Sequence, residues 1–334
     1  MNDVNVVDWL LDSDAAIRWQ VLHDLTDSPE ELVAAERARV AGEGWGATLL
    51  ALQREDGQWD GGVPEFDSTA AADWWKTLGP SRQGTLFPEW TSTTWSLALL
   101  RAFGLDPASA VARDAVARVR ENLRWEHDGE RFFDGEVEPC INGRAVALGA
   151  YFGVGVEPVV TRLLGEQMSD GGWNCEQENG STRGSFHTTI NVLEGLLEYE
   201  QAVGKAPDVA SARLRGQEYL VERRMFRSLT TGQAVEYDRT TEGPVAWTEF
   251  SFPTYWYYDV LRGLDYLRAA GVTPDERLAD AIDLVRSKRD AQGRWPLENI
   301  HPGRQYFAMD EGEGKPSRWN TLRAMRVLKW YESD

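Results

Sequence analysis

The sequence predicts an all-α fold, a closed (α/α) toroid with about six inner helices. Three observations carry that expectation. Helical periodicity runs through the 334 residues, and no stretch alternates convincingly as a strand. Helical segments of two kinds succeed one another, one poor in charge and rich in small residues, the other amphipathic and heavily charged. A Gly-x-Trp loop recurs, as expected of a repeat architecture.

The weakly charged segments begin at Asp14–Leu25 and Thr93–Leu100. They continue from Cys140, from Phe186, from Phe252 and from Ser317. Helices with few charges all round are buried, so these read as the inner set. The charged segments are Glu30–Val40, Ala108–Leu123, Val156–Gln167, Val209–Arg224 and Asp275–Arg289. Each presents one wet face and reads as outer. Breakers separate the two kinds at Gly104-Leu-Asp-Pro107, Gly153-Val-Gly-Val-Glu-Pro158 and Gly271-Val-Thr-Pro274. The return loops read Gln53-Arg-Glu-Asp-Gly57-Gln-Trp59, Gln167-Met-Ser-Asp-Gly171-Gly-Trp173 and Arg289-Asp-Ala-Gln-Gly293-Arg-Trp295, with a degenerate copy at Asp128-Gly-Glu-Arg-Phe132. Inner helices then all begin at one mouth of the ring, where their partial positive charge suits an anion or a polar head. The competing architecture is an open solenoid with shorter repeats. The long aromatic loops from Trp59 to Trp90 and from Trp295 to Ser317 suit lids over a central cavity instead. A single domain over residues 1–334 is expected.

Composition narrows the function. The net charge of −19 argues against nucleic acid and against anionic membrane surfaces. No apolar run approaches the roughly 20 residues of a membrane span. No secretory signal opens the chain, and two cysteines do not make a disulfide framework, so a cytoplasmic protein with reduced thiols is expected. Fifteen tryptophans are several times ordinary usage and gather where inner helices begin: Trp74, Trp75, Trp90, Trp95, Trp247, Trp256 and Trp319.

The Gln-x-x-x-Gly-x-Trp copies are similar to the QW motifs of the squalene cyclase and protein prenyltransferase superfamily, over nearly the whole chain. The resemblance implies an (α/α) toroid that takes an apolar, isoprenoid-like ligand. The chain lacks the Asp-x-Asp-Asp motif with which squalene cyclases protonate an alkene, and the Asp-Asp-x-x-Asp of class I terpene synthases. A triterpene cyclase is therefore not expected. Protein prenyltransferase β subunits hold zinc with Asp-x-Cys at one inner-helix start and a His at a later one. Glu138-Pro-Cys140 and His187 resemble that set, with Cys175 in the loop just before His187. Lanthionine cyclases also use Cys-Cys-His zinc, although their local motifs are not matched. Zinc on Cys140, Cys175 and His187 is thus an expectation, with Glu138 beside it as a candidate catalytic residue. Bland readings stand alongside: a cysteine on a small-residue helix is usually a packed hydrophobe, and a lone histidine a hydrogen-bonded core residue.

Three arginines, Arg144, Arg183 and Arg318, offer an anion pocket at the mouth, since guanidinium forks suit carboxylate or phosphate. The run Phe252-Pro-Thr-Tyr255-Trp256-Tyr257-Tyr258-Asp259, read as opening an inner helix, offers rings to wall an apolar ligand, with Trp95 and Trp319 from other helix starts. Asp259 and Glu194 are candidate acids with raised pKa. The sequence thus leads to a terpenoid cyclase- or prenyltransferase-like enzyme. A non-catalytic lipid or peptide receptor and a metal-free cyclase with Asp259 as acid are the alternatives. Nothing in the sequence decides whether a protein partner is needed.

Overall fold

The computed structural model describes residues 3–60, 90–125, 129–204, 206–238, 244–301 and 303–332. Much of the expected aromatic lid after Trp59, with Trp74 and Trp75, and the start of the degenerate motif at Asp128 lie outside them. The helices are α1 (Asp3–Leu11), α2 (Ala15–Leu25), α3 (Glu30–Ala38), α4 (Gly44–Ala51), α5 (Thr93–Phe103), α6 (Ala110–Asn122), α7 (Pro139–Tyr151), α8 (Glu157–Gly165), α9 (Phe186–Val203), α10 (Pro207–Glu222), α11 (Val260–Ala269), α12 (Ala279–Ser287) and α13 (Arg318–Glu332). Two short antiparallel pairs accompany them: β1 (Glu236–Asp238) with β2 (Pro244–Ala246), and β3 (Trp295–Pro296) with β4 (Pro316–Ser317). Among the described residues, no helix is long and apolar enough to cross a membrane.

Burial separates the helices into two sets. In α7 every residue except Ile141 and Tyr151 is buried. In α3 none is. Helices α2, α5 and α7 pack in succession, α7 lies against α9, α11 packs on α13, and α13 returns to α2. Arg262 of α11 joins Glu194 of α9 by a two-pronged ion pair. The charged helices lie against this set, with α8 on α7, α10 on α9 and α12 on α11.

The Gly-x-Trp loops are built alike. Gly57, Gly171 and Gly293 take φ of 85°, 86° and 85°, the left-handed region where glycine costs least. The indoles of Trp59, Trp173 and Trp295 donate to the carbonyls of Leu49, Leu163 and Val285, at 2.8, 2.7 and 2.6 Å. Their backbone N–H groups donate to the hydroxyls of Thr93, Thr189 and Thr321 on the next buried helix, at 2.9, 3.0 and 2.9 Å. Gln53 and Gln167 each donate twice, to the loop glycine carbonyl and to the neighbouring charged helix at Ala115 or Ala212. Where arginine replaces glutamine, Arg289 lies over the Trp295 ring at 5.4 Å.

Three readings are corrected. Helices α1 and α4 are two more than the sequence shows; α4 opens on Gly44-Trp-Gly46, which masks its periodicity. The aromatic run from Phe252 is a loop rather than a helix. Pro253 has no N–H to give, and Asp259 caps the helix that starts only at Val260, accepting from the Arg262 N–H at 2.6 Å. The two strand pairs are too short to show as alternation.

Candidate functional site: a central cavity and a thiol cluster

Helices α7 and α9 touch backbone to backbone. A Cβ on Gly195 would lie 2.3 Å from the Gly143 carbonyl oxygen, and one on Gly143 would lie 2.6 Å from that of Asn191. Only glycine allows this approach, and it sets Arg144 beside Glu194. Arg144 Nη1 lies 3.3 Å from Glu194 Oε2, while its Nη2 donates to Asn191 Oδ1 at 2.6 Å and to the Tyr255 carbonyl at 3.1 Å. Arg262 grips the same carboxylate through Nε and Nη2 at 2.7 and 2.8 Å. Asn191 donates to the carbonyls of His187 and Trp256, which ties the aromatic loop to α9.

Burial alone would raise the Glu194 pKa; the guanidinium groups of Arg262, Arg144 and Arg101 outweigh it and take the carboxyl down to about 2. The expected raised acid is therefore the opposite, a carboxyl held in its ionised form at neutral pH. Asp259 is committed as well. Besides its cap bond it accepts from the Ser251 N–H and hydroxyl, at 3.2 and 3.1 Å, and faces Arg323 at 3.7 Å.

A cavity of about 350 Å³ lies among α2, α5, α7, α9, α11 and α13. One end is aromatic, formed by Trp95, Trp319, Phe252 and Tyr255. Phe252 stacks on Trp319 with ring centres 4.1 Å apart, and Tyr255 stacks on Trp90 at 3.9 Å. These rings sit where the buried helices begin, so the aromatic loop covers the end expected to be the open mouth. The opposite end is charged, with Arg101, Glu198, Asp265 and Arg326 toward the helix C-termini, and it reaches the surface at exposed Ala269.

Beside the cavity lies a small pocket lined by Cys140 and Trp256; Trp95 and Arg144 line both spaces. Cys140 joins Glu138 and Cys175 in a cluster that places one oxygen and two sulfurs within 4.8 Å of one another. The Sγ atoms are 2.8 Å apart, and Cys140 Sγ is 3.4 Å from Glu138 Oε2. Both cysteines are free thiols. Burial, then Cys175 and Glu138, pushes the Cys140 thiol well up, and burial also raises Glu138. Two thiols and a carboxylate are donors that zinc accepts. His187 is not part of this group. Its Nδ1 accepts the Tyr258 N–H at 2.8 Å, its ring stands edge-on to Trp247 and Tyr257, and burial pulls its pKa down to about 3.

The remaining sequence candidates divide. Of the three arginines, only Arg144 lines the cavity. Arg183 is exposed in its loop, and Arg318 donates to the Trp9 carbonyl and lies over the Trp9 ring. Tyr258 turns into the core and donates to the Met225 carbonyl at 2.6 Å. Sequence reasoning missed Arg101, Arg262, Arg323 and Arg326. The available signal was arginine on otherwise buried helices, which burial cost makes rare.

No family model matches the chain, and no curated protein matches it. Among solved structures, the type II terpene cyclase MstE from Scytonema, in its apo form, is similar over 88% of this chain and 96% of that chain, with 17% identity and a TM-score of 0.36. A likeness of that size assigns neither family nor activity.

Proposed function

We propose that the chain is an (α/α) toroid with six inner helices that acts as a terpenoid cyclase- or prenyltransferase-like enzyme, taking a ligand with an apolar, isoprenoid-like body into its central cavity. The observation that carries this reading is the cavity wall. It draws on all six alternate helices and backs onto stacked aromatic rings. Its volume of about 350 Å³ falls in the range of small-molecule sites, roughly 300–1,000 Å³. Glu138, Cys140 and Cys175 would hold zinc one side-chain layer away, separated from the cavity by Trp95 and Arg144. When bound, zinc supplies a centre that holds a thiolate or polarises a carbonyl. Protonation of an alkene by Glu194 or Asp259 is not supported, because Glu194 is ionised and Asp259 is spent on its cap.

The test is binding of farnesol, followed by quenching of tryptophan fluorescence. We expect saturable binding that weakens in Phe252→Ala and Trp319→Ala. Absence of binding by farnesol, geraniol and geranylgeraniol alike would refute the reading. A receptor without turnover uses the same cavity; it predicts that Cys140→Ser leaves every measurable property of the bound complex unchanged.

A further inference from the structure

Both cysteines of the chain meet in one place. Cys140 stands in the first turn of α7 and Cys175 in the loop before α9, 35 residues away along the chain. Each is held by structure that the sulfurs do not supply. Helix α7 is fixed against α9 by the backbone contact at Gly143 and Gly195. The Cys175 loop is pinned across its base: the Ser185 N–H donates to the Trp173 carbonyl at 2.7 Å, and the Asn174 amide donates to the Arg183 carbonyl at 2.7 Å. Thr188, in the first turn of α9, accepts the Cys175 N–H at 3.4 Å and lies 3.4 Å from its Sγ. The 2.8 Å between the sulfurs is therefore set by the packing of α7 on α9.

That separation has a chemical meaning. A disulfide bond is about 2.05 Å long, so the two free sulfurs stand about 0.8 Å beyond bonding distance, a gap of side-chain scale. Access to them is unequal. Cys140 is 6% exposed whereas Cys175 is half-buried, so a reagent in solution meets Cys175 first. The thiolate is the form that ligates a metal and the form that attacks a disulfide. The pair can hold a metal or bond to each other, but not both. Where proteins of reducing compartments form disulfides, these are usually transient and redox-sensing.

We infer that Cys140 and Cys175 are a redox-sensitive modification site, which a low-molecular-weight disulfide converts to an intramolecular disulfide that no longer binds metal. Cys175, as thiolate, attacks one sulfur of the small disulfide; a mixed disulfide forms and one small thiolate leaves. Cys140, as thiolate, then attacks the Cys175 sulfur; the Cys140–Cys175 bond forms and the second small thiolate leaves. The two departing thiolates take up the two protons that the cysteines lost. The chain gives up two electrons and the small disulfide gains them. The loss of metal binding rests on the zinc reading of this site; the disulfide chemistry does not.

The experiment treats the reduced, chelator-stripped full chain with bis(2-hydroxyethyl) disulfide, then alkylates and digests it without reductant. We expect both thiols to disappear, the intact mass to fall by two hydrogens, a Cys140–Cys175 peptide cross-link, and recovery of both thiols with dithiothreitol. Cys140→Ser should stop at the mixed disulfide on Cys175. Cys175→Ser should react more slowly than Cys140→Ser, and it serves where Cys140→Ser does not fold. Cobalt(II) at about ten times its dissociation constant should slow oxidation of the wild type about tenfold, and the oxidised chain should bind none. Two mixed disulfides, two unreacted thiols or a cross-link between chains would overturn the inference. Cobalt binding that survives oxidation would overturn the switch. An intramolecular disulfide in a chain whose reduced form binds no cobalt leaves the modification site standing and refutes the zinc reading. Cobalt binding without a disulfide does the reverse.

Discussion

Arg144 and Glu194 meet at 3.3 Å on helices whose backbones touch at Gly143 and Gly195, and Arg262 closes on the same carboxylate from α11. Three buried helices are thereby bound through one charge. Removing it leaves two arginines uncompensated. Glu194→Gln should lower unfolding free energy by about 3–5 kcal/mol, the usual cost of breaking a buried pair. Denaturant unfolding followed by circular dichroism measures it. A loss under about 1 kcal/mol would show that water, rather than this network, satisfies the guanidinium groups.

The same pair sets a pH dependence. Glu194 titrates near 4.3 in an unfolded chain and near 2 when folded. Its stabilisation is present above about pH 4.3 and is lost as pH falls toward 2, because the unfolded state takes the proton first. Wild type should therefore lose stability relative to Glu194→Gln over that window. Parallel stability curves for the two proteins between pH 5 and 2 would contradict the assignment.

The Gly-x-Trp loops predict opposite outcomes for two glycines. Gly171 has a φ of 86°, and a Cβ there would lie 2.5 Å from the Arg215 carbonyl oxygen. Gly171→Ala should cost at least about 1–3 kcal/mol. Gly165 ends α8 with open space around it, and Gly165→Ala should be neutral or stabilise by up to about 1 kcal/mol. Thermal melts of the two variants compare them directly; equal effects would remove the structural role given to the loop.

These loops were legible in the sequence because each is local. A glycine, a tryptophan two residues on and a glutamine four residues before it specify one turn. The alternation of buried and charged helices was legible for the same reason, and it placed Cys140 near Cys175. The arginine network was not legible. Arg144 and Asn191 are 47 residues apart and Arg262 and Glu194 68, and only packing brings them together. Glu194 was read as a raised acid because the sequence shows a carboxylate on a buried helix and hides its guanidinium partners. His187 stood at the right helix start, but its ring turns to the Tyr258 N–H. The aromatic run reads as a buried helix because five of the seven residues from Phe252 to Tyr258 are aromatic, until Pro253 and the Asp259 cap are weighed.

Metal binding at the thiol cluster has its own test. Cobalt(II) added to reduced protein should give a thiolate-to-cobalt charge-transfer band, absent in Cys140→Ser and Cys175→Ser and kept in His187→Ala. Loss of the band in His187→Ala would restore the imidazole as a ligand. No band in wild type would leave Glu138, Cys140 and Cys175 as a packed thiol pair beside a buried acid.

The most direct measurement is a crystal structure of the chain with farnesol. The account predicts density for the farnesyl chain inside the cavity, against Phe252, Trp95 and Trp319. A cavity without ligand density, with farnesol absent or bound only on the outer surface, would contradict it.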